Sequence, residues 1–346
     1  MFDVTQTLVE TTVRKTIRDI KDSPKRSVRN LVNMGLHFSN GRFQTQLLGA
    51  AQTMLQNEQS PYYDLIKDVV CHTDEENLIR FGMNVGYNSC TVGARRIREI
   101  EEEERFNISW SVALRIDKLT YYTNQKNYFS LIAQGEAIGI YTWIIFADGD
   151  ITSILHLAET FKNSAFIFLC SPHDIMCANF KSEGLEKIKR CDNTMISVKY
   201  EKGVDEACGL LRDNKRLYSI FYPYNKINAQ DAENENVSEN IIEEIIARRP
   251  AFTILIPDSR CDEATRNAVY KSVVEARMKQ KYRTILWDLL SDSRFVDGII
   301  SDEACSVGFD TDGRTVIFEP ETRRVNYNFF DSPLKDILME VFPKAV

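Results

Sequence analysis

Carboxylates and one histidine stand in this chain where apolar runs give way to polar loops. Asp117, Asp148 and Asp150 follow two such runs in the first half, and Asp258, Asp288 and Asp292 follow two more in the second. His173 and Asp174 come directly after Ser171-Pro172, Lys199 and Tyr200 end the run that begins at Thr194, and Tyr224 ends a later one. Carboxylates joined by a histidine are the residue types that bind a divalent cation or exchange protons as general acid and base. Aspartates at such positions also serve turns and helix N-termini, because a short carboxylate accepts hydrogen bonds from nearby backbone N–H groups. That structural role is the expectation for Asp148, Asp174 and Asp258. Cys170, after the run Phe166 to Leu169, needs an adjacent base to act as a nucleophile, and the sequence names none. No Walker loop, GxSxG elbow or HExxH helix occurs.

The elements that must position these residues follow from hydrophobic periodicity. After Asn107, β-rich runs predict strands over 110–116, 141–146, 165–169, 194–200, 216–222, 251–256 and 283–289. Amphipathic segments between them predict helices over 125–138, 154–161, 185–190, 204–213, 239–248 and 264–280. This alternation predicts an α/β fold of parallel βαβ units with right-handed crossovers, wound as a partial or closed parallel (β/α) barrel of TIM type. Residues after each strand would then line the barrel mouth.

Before Asn107 the pattern is helical. Val4, Leu8, Val13, Ile17 and Ile20 share one face, Asp22-Ser23-Pro24 breaks it, and Phe81 to Asn88 reads as a loop ahead of a charged helix from Val92 to Glu104. Asn225 to Ser238 reads as an exposed polar loop, Asp312-Gly313 as the turn of a hairpin over 307–318, and 333–342 as a last amphipathic helix. The expected organisation is a helical arm over 1–106 packed on the barrel, the barrel over 107–300, and a hairpin with helix over 301–346. No Pro/Gly/Ser-rich linker separates arm from barrel.

The 346 residues are 43% hydrophobic, enough to bury a large core, and the net charge of −7 comes from mixed acids and bases. That balance speaks against nucleic acid as the main partner. No apolar stretch reaches the length of about 18 residues needed to cross a membrane, and the polar start is unlike a secretory signal, so the expected place is the cytoplasm without membrane attachment. The eight cysteines include no CxxC pair or clustered triplet, so they read as reduced core thiols rather than metal ligands.

From Asn107 onward the order of elements resembles the radical S-adenosylmethionine (SAM) superfamily, in particular members with a helical N-terminal arm and a C-terminal SPASM-like hairpin region. The turn Asp148-Gly149-Asp150-Ile151 is similar to the family's SAM-binding turn, with Gly149 as its second glycine and Asp150 in place of its glutamate. Gly308 to Gly313 and Asn328 to Leu338 are similar to its closing hairpin and terminal helix. The chain departs from the family where the cofactor binds. The stretch Asp117 to Lys126 lacks the CxxxCxxC cysteines, Cys305 stands alone near the end, Phe318-Glu319-Pro320 carries none, and Lys199 replaces an acidic residue. The resemblance therefore implies a protein without an iron–sulfur cluster, with SAM contact left to Asp150. It implies a non-catalytic pseudoenzyme that binds a peptide, a partner protein or a small ligand at the barrel mouth through Asp148, Gly149, Asp150, His173 and Lys199. The partner such a protein would serve is a catalytically competent radical SAM relative. The alternative is a barrel enzyme using strand-end carboxylates for hydrolytic or transfer chemistry. An enzyme gathers those carboxylates and His173 in one cleft, whereas a binding module leaves the mouth to bulky side chains such as Tyr121, Tyr122, Phe129 and Trp143.

Overall fold

Each expected apolar run folds as a strand. The computed structural model describes residues 4–38, 41–225, 239–301, 303–318 and 322–344. Its strands are β1 (Ser111–Asp117), β2 (Thr142–Asp148), β3 (Ala165–Cys170), β4 (Thr194–Lys199), β5 (Tyr218–Tyr224), β6 (Phe252–Pro257), β7 (Ile285–Asp288), β8 (Val307–Phe309), β9 (Arg314–Phe318) and β10 (Thr322–Asn328). Their order is β10-β9-β8-β1-β2-β3-β4-β5-β6-β7. The pairs β1–β2, β2–β3, β5–β6, β6–β7 and β1–β8 are parallel, and β8–β9 and β9–β10 are antiparallel. The protein is thus α/β with a mostly parallel sheet. From β1 to β7 the strands follow chain order, so there is no strand-order reversal of the doubly wound kind, and functional groups are sought at the strands' carboxyl ends.

Packing divides the chain into two units. One comprises Met1–Asn40, Gln44–Ile79 and Ser197–Asp292, and the other Gly41–Phe43, Arg80–Ile196 and Ser293–Val346. The expected segments 1–106 and 107–300 are each shared between them.

In the second unit, β1, β2 and β3 bury one face completely. Val112, Trp143 and Phe166 stand in register there and are fully buried, as are Ile116 and Ile145. Helix Lys118–Ile138 supplies Gly135 beneath Trp143, and a Cβ at that glycine would lie 2.5 Å from the indole ring. The loop expected at Phe81–Asn88 is instead helical: helix Glu75–Met83 continues as a π-helix over Asn84–Gly93. The asparagines that suggested a turn are buried and serve distant backbone. Asn84 Nδ2 donates to Lys162 O at 2.9 Å and Ser164 O at 2.8 Å, and Asn88 Nδ2 donates to Asn163 O at 2.9 Å. The hairpin forms as expected, with β8 and β9 joined through Asp310–Gly313, where Gly313 N–H donates to Asp310 O at 2.9 Å. The terminal helix spans Leu334–Val341.

The first unit joins N-terminal helices to β5, β6 and β7. Asn77 Oδ1 accepts from Leu217 N–H at 2.9 Å at the entry to β5, and Tyr62 OH donates to Arg277 O at 3.3 Å. Its core gathers Tyr224, Leu255 and Leu286 from the strands with Ile242, Val269 and Val273 from the helices that follow. The polar loop expected at 225–238 lies, beyond Asn225, outside the described residues, as do 319–321 after β9. No helix among the described residues is long and apolar enough to cross a membrane.

Candidate functional site

The strand ends of the second unit hold Asp117, Asp148, Gly149, Asp150, His173 and Asp174, and local hydrogen bonds account for three of them, Asp117, Asp150 and Asp174. Asp117 caps helix Lys118–Ile138, accepting from Leu119 N–H at 2.9 Å and Thr120 N–H at 3.0 Å. Burial works against its ionisation, but these hydrogen bonds outweigh it and hold the carboxyl below its ordinary range. The helix therefore starts at Lys118, seven residues before the expected Gln125, with its one irregularity at Asn124 (φ −116°).

Asp150, rather than Asp148, forms the turn after β2. Its Oδ1 accepts from Thr152 N–H at 2.9 Å and Thr152 Oγ1 at 2.5 Å, and its Oδ2 accepts from the Asn179 amide. Burial again opposes ionisation, and these donors lower the pKa overall. Gly149 has φ +102°, a left-handed conformation that glycine adopts without strain, and nothing lies within 4 Å of where a Cβ would be. Asp148 faces Arg115 at 4.0 Å, and both side chains are 57% exposed. Asp174 forms a capping box with Ser171, whose Oγ donates to Asp174 Oδ2 at 2.7 Å. His173 is exposed on that short helix, and Cys170 is buried.

In the first unit the pattern repeats. Lys199 pairs with Glu201 at 2.6 Å, and Tyr200 donates to Glu244. Asp258 accepts from Arg260 N–H at 2.8 Å and from Asn225 Nδ2 at 2.7 Å. Tyr224 OH donates to the buried Asp288 at 2.8 Å, and burial raises the pKa of both. Asp292 is chelated by Arg277 at 2.8 and 3.0 Å.

Among the described residues, no group of three or more His, Cys, Asp or Glu side chains is placed to hold a metal ion. None of the eight cysteines forms a disulfide, and burial pushes the thiols of Cys90, Cys191 and Cys208 up to about 12.

The bulky residues named for a barrel mouth differ in burial and partners. Trp143 and Tyr121 are buried, Trp143 against helix Lys118–Ile138 and Tyr121 against Tyr128. Phe129 packs at a tilt against His156 and Phe161, and Tyr122 is exposed with its OH 3.1 Å from Ser153 Oγ. The other face of β1–β3 is covered in part: Ser111, Thr142, Ile144, Ala165 and Leu169 are buried, and a patch around Arg115 is open. Ala113, Phe146 and Ile167 are only partly buried there, and Arg115 projects with its guanidinium 5.9 Å from the Phe146 ring centre. Parallel strands are ordinarily covered on both faces. Arg115 was not among the expected site residues, although one charge inside an otherwise apolar parallel strand is a signal the sequence does carry.

No family model matches this chain, and no curated protein matches it in sequence.

Proposed function

We propose that the chain is a non-catalytic relative of radical SAM enzymes. In this reading a partial or closed (β/α) barrel binds a peptide, a partner protein or a small ligand at the carboxyl ends of its strands. The supporting observation is the contrast around β1 and β2. Asp117, Asp150 and Asp174 are engaged by backbone N–H groups and short hydroxyl or amide contacts, whereas Arg115 is exposed beside the half-buried Ala113 and Phe146 on an otherwise largely buried sheet face. A ligand with an acidic group for Arg115 and an apolar or planar part for Phe146 matches that surface, since guanidinium prefers carboxylate or phosphate and also stacks on rings. Gly149 beside it lets a ligand approach the backbone closely.

The residues present do not fit a [4Fe–4S] cluster. The segment after β1 carries no thiol and is wound into helix from Lys118, whereas the family uses three thiolates in a loop. Anaerobic reconstitution is expected to leave the protein without cluster absorbance. Iron and sulfide near about four per chain, the stoichiometry of that cluster type, together with reductive SAM cleavage, would overturn the non-catalytic reading.

Calorimetry separates the Arg115 patch from the Asp150 turn. SAM, its demethylated product and common nucleotides are titrated into the parent, Arg115→Ala and Asp150→Ala. A ligand held on the Arg115 patch should weaken about tenfold or more with Arg115→Ala, the scale of one lost charge-assisted hydrogen bond. Loss with Asp150→Ala alone would move the site to the turn, and unchanged binding by both variants would remove this edge of the sheet from consideration.

A further inference from the structure

Three arginines converge on one carboxylate in the unit that contains β5, β6 and β7. Asp68 and His72 lie on helix Pro61–His72, and Arg212 in the last turn of helix Val204–Asp213. Arg249 and Arg283 stand in the turns that lead into β6 and β7. The cluster is therefore at the strands' amino ends, away from the carboxyl-end residues considered above.

Arg212 alone satisfies the carboxylate. Its Nη2 donates to Asp68 Oδ1 at 2.7 Å and its Nη1 to Oδ2 at 3.1 Å, a bidentate pair. Arg249 and Arg283 come within 3.7 and 3.6 Å of the same two oxygens, close enough for attraction but beyond hydrogen-bond length. Both are more open to solvent than the carboxylate: their side chains are 56% and 38% exposed, and that of Asp68 is 14%. His72 adds no negative charge. Its pKa is lowered by burial and then by Arg212, against the opposing pull of Asp68, with Arg249 adding to the lowering. Three guanidiniums against one carboxylate leave two positive charges uncompensated within the cluster, on side chains that solvent reaches.

The backbone fixes this arrangement. Arg249 sits at φ +53°, a conformation that glycine fills without strain, and its N–H donates to Ile246 O at 2.8 Å. Tyr218 OH donates to Arg248 O at 2.6 Å, with Arg249 O at 3.0 Å sharing its one hydrogen, and its ring lies 5.6 Å from His72. The chain thus holds an arginine, anchored by a buried tyrosine, where a turn alone would favour glycine.

We propose that Arg249 and Arg283, with the Arg212–Asp68 pair as their fixed base, form a site for a phosphate dianion, either the free ion or the head of a small phosphate monoester. Guanidinium forks match tetrahedral oxyanions bidentately, and a dianion balances the excess charge. This site is separate from the strand-end surface and does not depend on the reading given for it. If the cluster only braces the helix against the sheet, phosphate would make no difference to it.

The test uses the full chain at constant ionic strength set with chloride. Inorganic phosphate and glycerol phosphate are titrated by calorimetry, and the thermal midpoint is followed with and without phosphate. One-to-one binding of either probe is expected, with a raised midpoint. Arg249→Gln and Arg283→Gln should each weaken binding at least about tenfold while the phosphate-free midpoint stays close to the parent's. Arg249→Lys, which keeps the charge but loses the fork, should fall between. Binding of phosphate alone, or of both probes, with those losses upholds the site and tells free ion from monoester. No binding of either probe at millimolar concentration, or equal binding by parent and Gln variants, overturns it.

Discussion

Replacing Trp143 by alanine is expected to lower the unfolding free energy by about 3–5 kcal/mol, the range found when a large aromatic side chain is removed from a close-packed core. Trp143 is fully buried near the start of β2, in register with Val112 and Phe166, which are also fully buried. Its ring fills the space above Gly135, which has no side chain to collapse into the gap. The indole Nε1 has no hydrogen-bond partner among the described residues. Trp143→Phe removes that unpaired donor along with part of the volume, so it should cost well under half as much as Trp143→Ala. Gly135→Ala should destabilise the parent by overpacking, because the new methyl would meet the ring at 2.5 Å, and should do little harm where residue 143 is already alanine. Urea unfolding of the four corners of that cycle checks the argument. Simple additivity of the two changes would show that the helix and β2 do not meet through this contact.

Much of this architecture is legible in the chain because its signals are local. The runs around Ile144, Phe168 and Ile254 are short, apolar, rich in β-branched or aromatic residues, and bounded by polar turns, so strand type and position follow directly. The missed features depend on partners far away in sequence. Asn84 and Asn88 look like turn formers until the carbonyls at 162–164 are brought to them. The start of the helix at Lys118 was readable from Asp117 as a cap, but the same aspartate also qualified as a site carboxylate, and type alone does not separate the two roles. The capping box of Ser171 and Asp174 was readable by its spacing. Asp68, Arg212, Arg249 and Arg283 lie on four separate segments, and no spacing rule connects them before the helix and the strand entries are folded together.

Asp297→Asn should change the pH dependence of stability more than any other single charge removal in the second unit. Asp297 is fully buried, and burial pushes its carboxyl up to about 7 from an ordinary 3.8, with nearby Glu101 adding to the rise. Donors from Ser306, from Trp110 N–H at 2.9 Å and from Ser109 at 3.3 Å oppose the shift without cancelling it. Ser109 helps little, since its single hydroxyl hydrogen is already directed to Ser111 O at 2.6 Å. Between pH 3.8 and about 7 the folded chain keeps a proton that the unfolded chain has released, so this group's contribution falls as pH rises through that window. At about 1.4 kcal/mol per pKa unit the full loss is on the order of 4 kcal/mol. Asparagine keeps an acceptor for Trp110 N–H and does not ionise, so the variant should gain on the parent steadily from pH 4.5 to 7.5 and level off above that. Asp68, Asp117, Asp150 and Glu159, whose pKa values are lowered in the fold, titrate in the acid range in both proteins and cancel in the difference. Chemical unfolding of both proteins at half-unit pH intervals measures that difference, and a gap constant across the window would show that Asp297 is ionised throughout.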